Sequence, residues 1–234
     1  MLQIQHYTKR YGDKAAVDDL SLHIRPGEIY GFIGHNGAGK TTTLKACCGL
    51  LHPDGGDILI DGVSILRDPI ACKKKLAYLP DNPDLYEFMS GIRYLNFIAD
   101  VYHVDAATRE RNIEAYSSLL GIRSELAQPI SAYSHGMKQK LALVAALLHD
   151  PKLILMDEPF VGLDPSASHQ LKELMRKMCD NGAAIFFSTH VLETAEKLCD
   201  KVAIIKNGKL VVSGTMDEVR GNATLEDVFL ELEG

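Results

Sequence analysis

Residues 34–41 read Gly-His-Asn-Gly-Ala-Gly-Lys-Thr, a complete G-x-x-x-x-G-K-[ST] pattern. It follows an apolar segment, Glu28 to Ile33, and opens a helical pattern over Thr41 to Leu51. A buried strand that turns through glycines into a helix commits the chain to a layered α/β core. Glycines let consecutive backbone N–H groups converge on phosphate oxygens, and the helix N-terminus adds a favourable dipole. In this setting Lys40 is expected to reach β- and γ-phosphates, and the Thr41 hydroxyl to ligate Mg²⁺.

Short β-type runs alternate with longer helical patterns along the rest of the chain, as in a parallel sheet flanked by helices. Residues 2–25 differ. Leu2-Gln3-Ile4 and Ala16 to Ile24 largely alternate apolar and polar residues, the pattern of half-exposed antiparallel strands. Asp57 to Ile60 reads as a strand entering a turn at Asp61-Gly62, and Leu76 to Leu79 as another short strand. From Asp81 to Asp150 strand signals nearly vanish, and helical periods dominate near 90–103, 107–120 and 136–149. Strands return at Leu153 to Asp157, Ala184 to Ser188 and Val202 to Ile205. Asn207-Gly208 then predicts a type I′ hairpin turn. Residues 224–232 predict a terminal helix with Thr224 as N-cap.

Length and composition narrow the classes. With 234 residues and 25.7 kDa, about 72% of the unfolded chain's surface can be buried, so the core needs no disulfide or metal. The sequence holds 25 Lys and Arg against 31 Asp and Glu, a net charge of −6, which argues against nucleic acid as the main partner. The longest apolar run, Leu141 to Leu148, is eight residues, well short of the roughly 20 that span a bilayer. The first six residues lack the basic and apolar regions of a signal peptide, so a cytosolic chain is expected. The five cysteines (47, 48, 72, 179 and 199) show no C-x-x-C spacing and are read as reduced thiols.

Further motifs carry chemistry. Leu153-Ile154-Leu155-Met156-Asp157-Glu158-Pro159 is an apolar strand with two carboxylates at its carboxyl end, the edge where open α/β sheets bind ligands. Asp157 suits a Mg²⁺ shell and Glu158 a general base acting on water. In Ser134-His135-Gly136-Met137-Lys138-Gln139-Lys140, Ser134 is a natural N-cap and Gly136 allows close backbone approach, so a second helix N-terminus can hold an anion. Ser188-Thr189-His190 follows the apolar run from Ala183 to Phe187. Tyr11 stands at a turn before Gly12-Asp13, where its ring can stack on a base.

In this order and spacing these features resemble the ATP-binding subunits of ABC transporters, over essentially the whole chain. By that resemblance Gly34, His35, Asn36, Gly37, Ala38, Gly39, Lys40, Thr41 and Thr42 form the Walker A loop that holds ATP. Asp157 is the Walker B residue, and Glu158 the catalytic glutamate. Tyr11 stacks on adenine, Ser134 and Gly136 belong to the signature segment, Asp164 to the D-loop, and His190 is the switch histidine. Thr41, Asp81 and Asp157 are the expected Mg²⁺ ligands. The implied fold is a P-loop NTPase (RecA-like) α/β core with an N-terminal antiparallel β lobe and an inserted helical subdomain. Residues 1–80 and 151–234 would form the core and lobe, and 81–150 the helical subdomain.

Three positions depart from the family's pattern: His135 stands for Gly and Met137 for Gln in the signature, and Asp81 for the Q-loop Gln. An Asp still offers hard oxygens to Mg²⁺ but adds charge and shortens the reach. The Tyr133 to Leu141 segment and the ending Leu225-Glu226-Asp227-Val228-Phe229 resemble the ABC-2 group, mostly exporters. The resemblance implies a head-to-tail dimer with a second ATP-binding subunit, homomeric or heteromeric. It also implies transmembrane permease subunits on separate chains and a peripheral location on the cytoplasmic face of the membrane. A soluble ABC ATPase without a membrane partner is the alternative reading.

Overall fold

The computed structural model describes residues 1–233. Two sheets enclose the first helix. β1 (Leu2–Tyr11), β2 (Lys14–Ile24), β4 (Gly55–Ile60) and β5 (Val63–Ser64) form an antiparallel sheet in the order β2-β1-β4-β5. The larger sheet contains β3 (Ile29–Ile33), β6 (Leu76–Leu79), β7 (Leu153–Asp157), β8 (Ala184–Thr189), β9 (Lys201–Lys206) and β10 (Lys209–Thr215), in the order β10-β9-β3-β8-β7-β6. Its strands are parallel except β10, which closes one edge antiparallel to β9.

The parallel strands are buried on both faces, which is why they read as continuous apolar runs. Side-chain alternation divides them between two cores. Ile29, Ile33, Ile154, Met156, Ile185 and Phe187 face one cluster, while Tyr30, Phe32, Leu153, Leu155, Ala184 and Phe186 face the other. The second cluster is closed by α1 (Lys40–Cys47), through Leu44, Ala46 and Cys47, and by the antiparallel sheet. The expected helix over Thr41 to Leu51 therefore stops short. Gly49 takes φ +69°, and the N–H groups of Leu50 and Leu51 turn back to the Lys45 carbonyl, a glycine-terminated helix end.

Between β6 and β7 lie α3 (Gly91–Val101), α4 (Ala106–Leu119) and α5 (His135–Leu147), within two residues of the expected helices. The Ser134 hydroxyl caps α5 by accepting from Met137 N–H at 3.3 Å. Four helices had no clear counterpart in the sequence reading: α2 (Pro69–Lys73), α6 (Pro165–Asp180), α7 (Leu192–Leu198) and α8 (Met216–Arg220). The hairpin turn is as expected, with φ +50° at Asn207 and +81° at Gly208. The terminal helix is α9 (Leu225–Glu233), with the Thr224 hydroxyl accepting from Asp227 N–H at 3.1 Å. All five cysteines are free and buried. Among the described residues no helix is long and apolar enough to cross a membrane.

Candidate functional site

β3, β7 and β8 end side by side, with Asp157 paired in register with Ser188 and Ile33 with Thr189. The loop from Gly34 to Gly39 leaves β3 and enters α1 above these ends. No side chain caps α1, so its first backbone N–H groups are available to an anion. Two glycines are required by space. A Cβ at Gly39, which has φ +111°, would stand 2.5 Å from the Ala16 carbonyl oxygen, and one at Gly34 would collide with the Ile205 carbonyl.

A cavity of about 190 Å³ opens at this point, lined by Ala16, Asn36, Gly37, Gly39, Lys40, Thr41, Thr42, Asp81, Asp157 and Glu158. Lys40 is buried, and its Nζ donates to the carbonyls of Gly34 at 2.6 Å and His35 at 3.2 Å. Burial lowers its pKa, and the nearby Glu158 and Asp157 carboxylates partly restore it. The lysine therefore sits preformed at the foot of the loop.

Asp157 is buried and held from both sides. Thr41 Oγ1 donates to its Oδ2 at 2.6 Å, and Ser188 Oγ donates to its Oδ1 at 2.5 Å. Ser188 also accepts from Glu158 N–H at 3.2 Å. Glu158 has φ +48°, a left-handed conformation uncommon for a non-glycine residue. The bend carries Glu158 out of the strand line, and its Oε1 lies 2.8 Å from His190 Nδ1. Pairing a carboxylate with an imidazole in this way suits general-base work on a water.

The lining residues fit a nucleotide triphosphate with a divalent ion. Lys40 and uncapped amides face phosphate charge, while Thr41, Asp157 and Asp81 bring hard oxygens of the kind Mg²⁺ takes alongside phosphate oxygens and water. Asp81, Asp157 and Glu158 place three carboxylates around one lysine, so a cation between them and bound phosphates would offset their mutual repulsion. Among the described residues no group of three or more His, Cys, Asp or Glu side chains is poised to hold a metal alone.

Other residues singled out in the sequence lie elsewhere. Tyr11 ends β1 as an exposed residue, with Lys9 Nζ 5.7 Å from its ring centroid. Ser134, Gly136 and Asp164 are not among the cavity's lining residues but sit together. A Cβ at Gly136 would be 2.8 Å from the Gly162 carbonyl, and one at Gly162 would be 2.6 Å from His135 Cδ2. Asp164 accepts from Lys140 Nζ at 2.8 Å and caps α6 through Ala167 N–H at 2.9 Å. The lysine holds its carboxyl below the usual range. Ser188 was missed as a site residue, although it stands two positions before His190; only the strand register reveals its bond to Asp157.

The profile of the ABC transporter family matches residues 17–161. The chain is 38% identical to the uncharacterised ABC transporter ATP-binding protein YhcH of Bacillus subtilis (strain 168), over 93% of this chain and 71% of that one. It is 35% identical to the ABC-type transporter ATP-binding protein EcsA of the same organism, over 99% and 96% of the two chains. A solved structure described as the ATP-binding subunit of an ABC transporter superposes with a TM-score of 0.96 at 35% identity and covers 100% of both chains.

Proposed function

The chain belongs to the ABC transporter family of ATP-binding proteins, which hydrolyse ATP to power transport, and from that premise we propose that the cavity between the phosphate loop and β7 is its ATPase site. The observation that carries this reading is the 2.6 Å bond from Thr41 to Asp157, which joins the loop to the strand end where the metal would sit. Gly34 to Thr42 wrap the phosphates, with Lys40 facing the β- and γ-oxygens. Thr41, Asp157 and Asp81 hold Mg²⁺, which offsets phosphate charge when bound. Glu158 takes the proton of the attacking water and His190 orients it, while the Tyr11 ring stacks on the adenine.

Ser134, Gly136 and Asp164 serve a second site. Their placement outside the cavity, with Ser134 and Asp164 exposed, favours contact with the nucleotide of another ATP-binding subunit in a head-to-tail dimer. Residues 81–150 act as a helical subdomain and 1–80 with 151–234 as the core and lobe, a division supported by the helices α3 to α5 between β6 and β7. Permease subunits on separate chains provide the membrane path, placing this subunit on the cytoplasmic face. Transport in the outward direction follows from the ABC-2 resemblance. Lys40→Ala tests the site: ATP hydrolysis should be lost with the melting temperature nearly unchanged, and near-normal turnover in a folded variant would remove Lys40 from it.

A further inference from the structure

The phosphate loop has a neighbour that is not part of the cavity lining. The ring of Phe229, on α9, meets the ring of His35 edge to face, with centroids 4.9 Å apart and planes at 62°. His35 is the second residue of the loop, and its carbonyl does two things. It accepts from Lys40 Nζ at 3.2 Å and from Ala38 N–H at 3.1 Å. One residue therefore turns its ring to the C-terminal helix and its carbonyl to the lysine.

The helix that carries Phe229 is anchored independently of that ring. Leu225 is fully buried, and its N–H donates to Glu196 Oε2 on α7 at 3.3 Å. Glu196 also pairs with Arg220 at 3.2 Å. Further along, Lys206 Nζ donates to the Leu232 carbonyl at 2.9 Å. Lys206 ends β9, the strand hydrogen-bonded to β3, so α9 is fastened to the same sheet edge from which the loop departs. Phe229 itself is only 8% exposed.

We propose that Phe229 is a positioning residue for nucleotide binding, holding His35 so that its carbonyl seats Lys40 in the shape the phosphates require. The inference rests on reading Gly34 to Thr42 as the phosphate-binding loop. A loop ordered before the ligand arrives avoids the entropy of ordering it on binding. Glu158 and His190 pair with each other at the ends of β7 and β8, so loss of the Phe229 ring is expected to act mainly on binding. An aromatic pair of this kind corresponds to about a two- to tenfold change in affinity.

The test uses the purified full chain, a fluorescent trinitrophenyl-ATP probe and steady-state ATPase kinetics. Phe229→Ala and His35→Ala should each weaken probe binding and raise KM for ATP by about two- to tenfold, and in Phe229→Ala, which lies outside the loop, kcat should stay within about a factor of two. The double variant should be no worse than the poorer single one, because both remove the same contact. Phe229→Leu keeps the apolar bulk that seats α9 and should still weaken binding, which covers the case in which alanine loosens the helix. Unchanged affinity in Phe229→Leu and His35→Ala, fully multiplicative losses in the double variant, or a fall confined to kcat would each overturn the proposal. Lys40→Ala separates the two readings. If it binds the probe normally, the loop assignment fails; if it loses binding while the Phe229 variants bind normally, only the positioning role fails.

Discussion

Ser188 Oγ donates to Asp157 Oδ1 at 2.5 Å from the neighbouring strand, so the carboxylate at the end of β7 is oriented by β8. The same hydroxyl accepts from the Glu158 N–H. One serine thereby fixes both acidic residues of the site, one through its side chain and the other through its backbone.

Ser188→Ala should therefore damage catalysis and stability together. Asp157 keeps Thr41 as a partner but loses a buried donor, which costs about 1–3 kcal/mol. Second partners of metal-binding carboxylates typically matter by about 10- to 100-fold, and a fall of that size is expected in Mg²⁺-dependent ATPase activity. Wild-type activity at all Mg²⁺ concentrations would show that Thr41 orients Asp157 alone.

Glu158→Gln should retain ATP without hydrolysing it. The amide is nearly isosteric with the carboxylate but cannot accept the proton of the attacking water. ATP then remains as a ligand of the closed state, which accumulates by mass action. Size-exclusion chromatography with saturating Mg²⁺–ATP should show a dimer, and adding Ser134→Arg should restore monomers. If Glu158→Gln stays monomeric, repeating the comparison on the reconstituted complex and reading nucleotide occlusion decides whether the composite site or the missing permease is responsible.

Asp81→Ala removes one of the three carboxylates lining the cavity. The Mg²⁺ concentration for half-maximal ATPase activity should rise about tenfold, with little change in metal-free nucleotide affinity. A lower Mg²⁺ requirement would mean that Asp81 acts by repulsion and is no ligand.

His149 sets a pH dependence distant from the phosphate loop. Its ring stacks on Tyr102 with centroids 3.8 Å apart, and Nε2 donates to the Leu76 carbonyl at 3.1 Å. Nδ1 is buried with no hydrogen-bond partner among the described residues. Burial lowers its pKa below the ordinary value of 6.5, so below that pH the unfolded chain binds the proton more readily than the folded one. Stability from this residue is present above pH 6.5 and is lost as pH falls through that value towards the folded pKa. The melting-temperature difference between wild type and His149→Gln should hold steady above neutrality and shift against the wild type as pH falls below 6.5. A difference independent of pH would show that the imidazole takes up its proton equally readily in the folded and unfolded states, so that burial does not lower its pKa.

The phosphate loop, the Asp157-Glu158 strand end, the Ser134 cap and the Asn207-Gly208 turn were legible because each rests on local backbone geometry. A glycine turn, an N-cap or a type I′ hairpin is specified by a few adjacent residues, and their chemistry needs no distant partner to be recognised. The short helices α2, α7 and α8 lack enough turns for a periodic signal, and the register of one strand against another is not local at all. That Ser188 faces Asp157, that His190 meets Glu158, and that Phe229 reaches back 194 residues to His35 all depend on strand order in the large sheet. So does the separation of Ser134 and Asp164 from the Lys40 cavity. These relationships arise only when burial of two apolar faces per strand selects one stacking of β9, β3, β8 and β7.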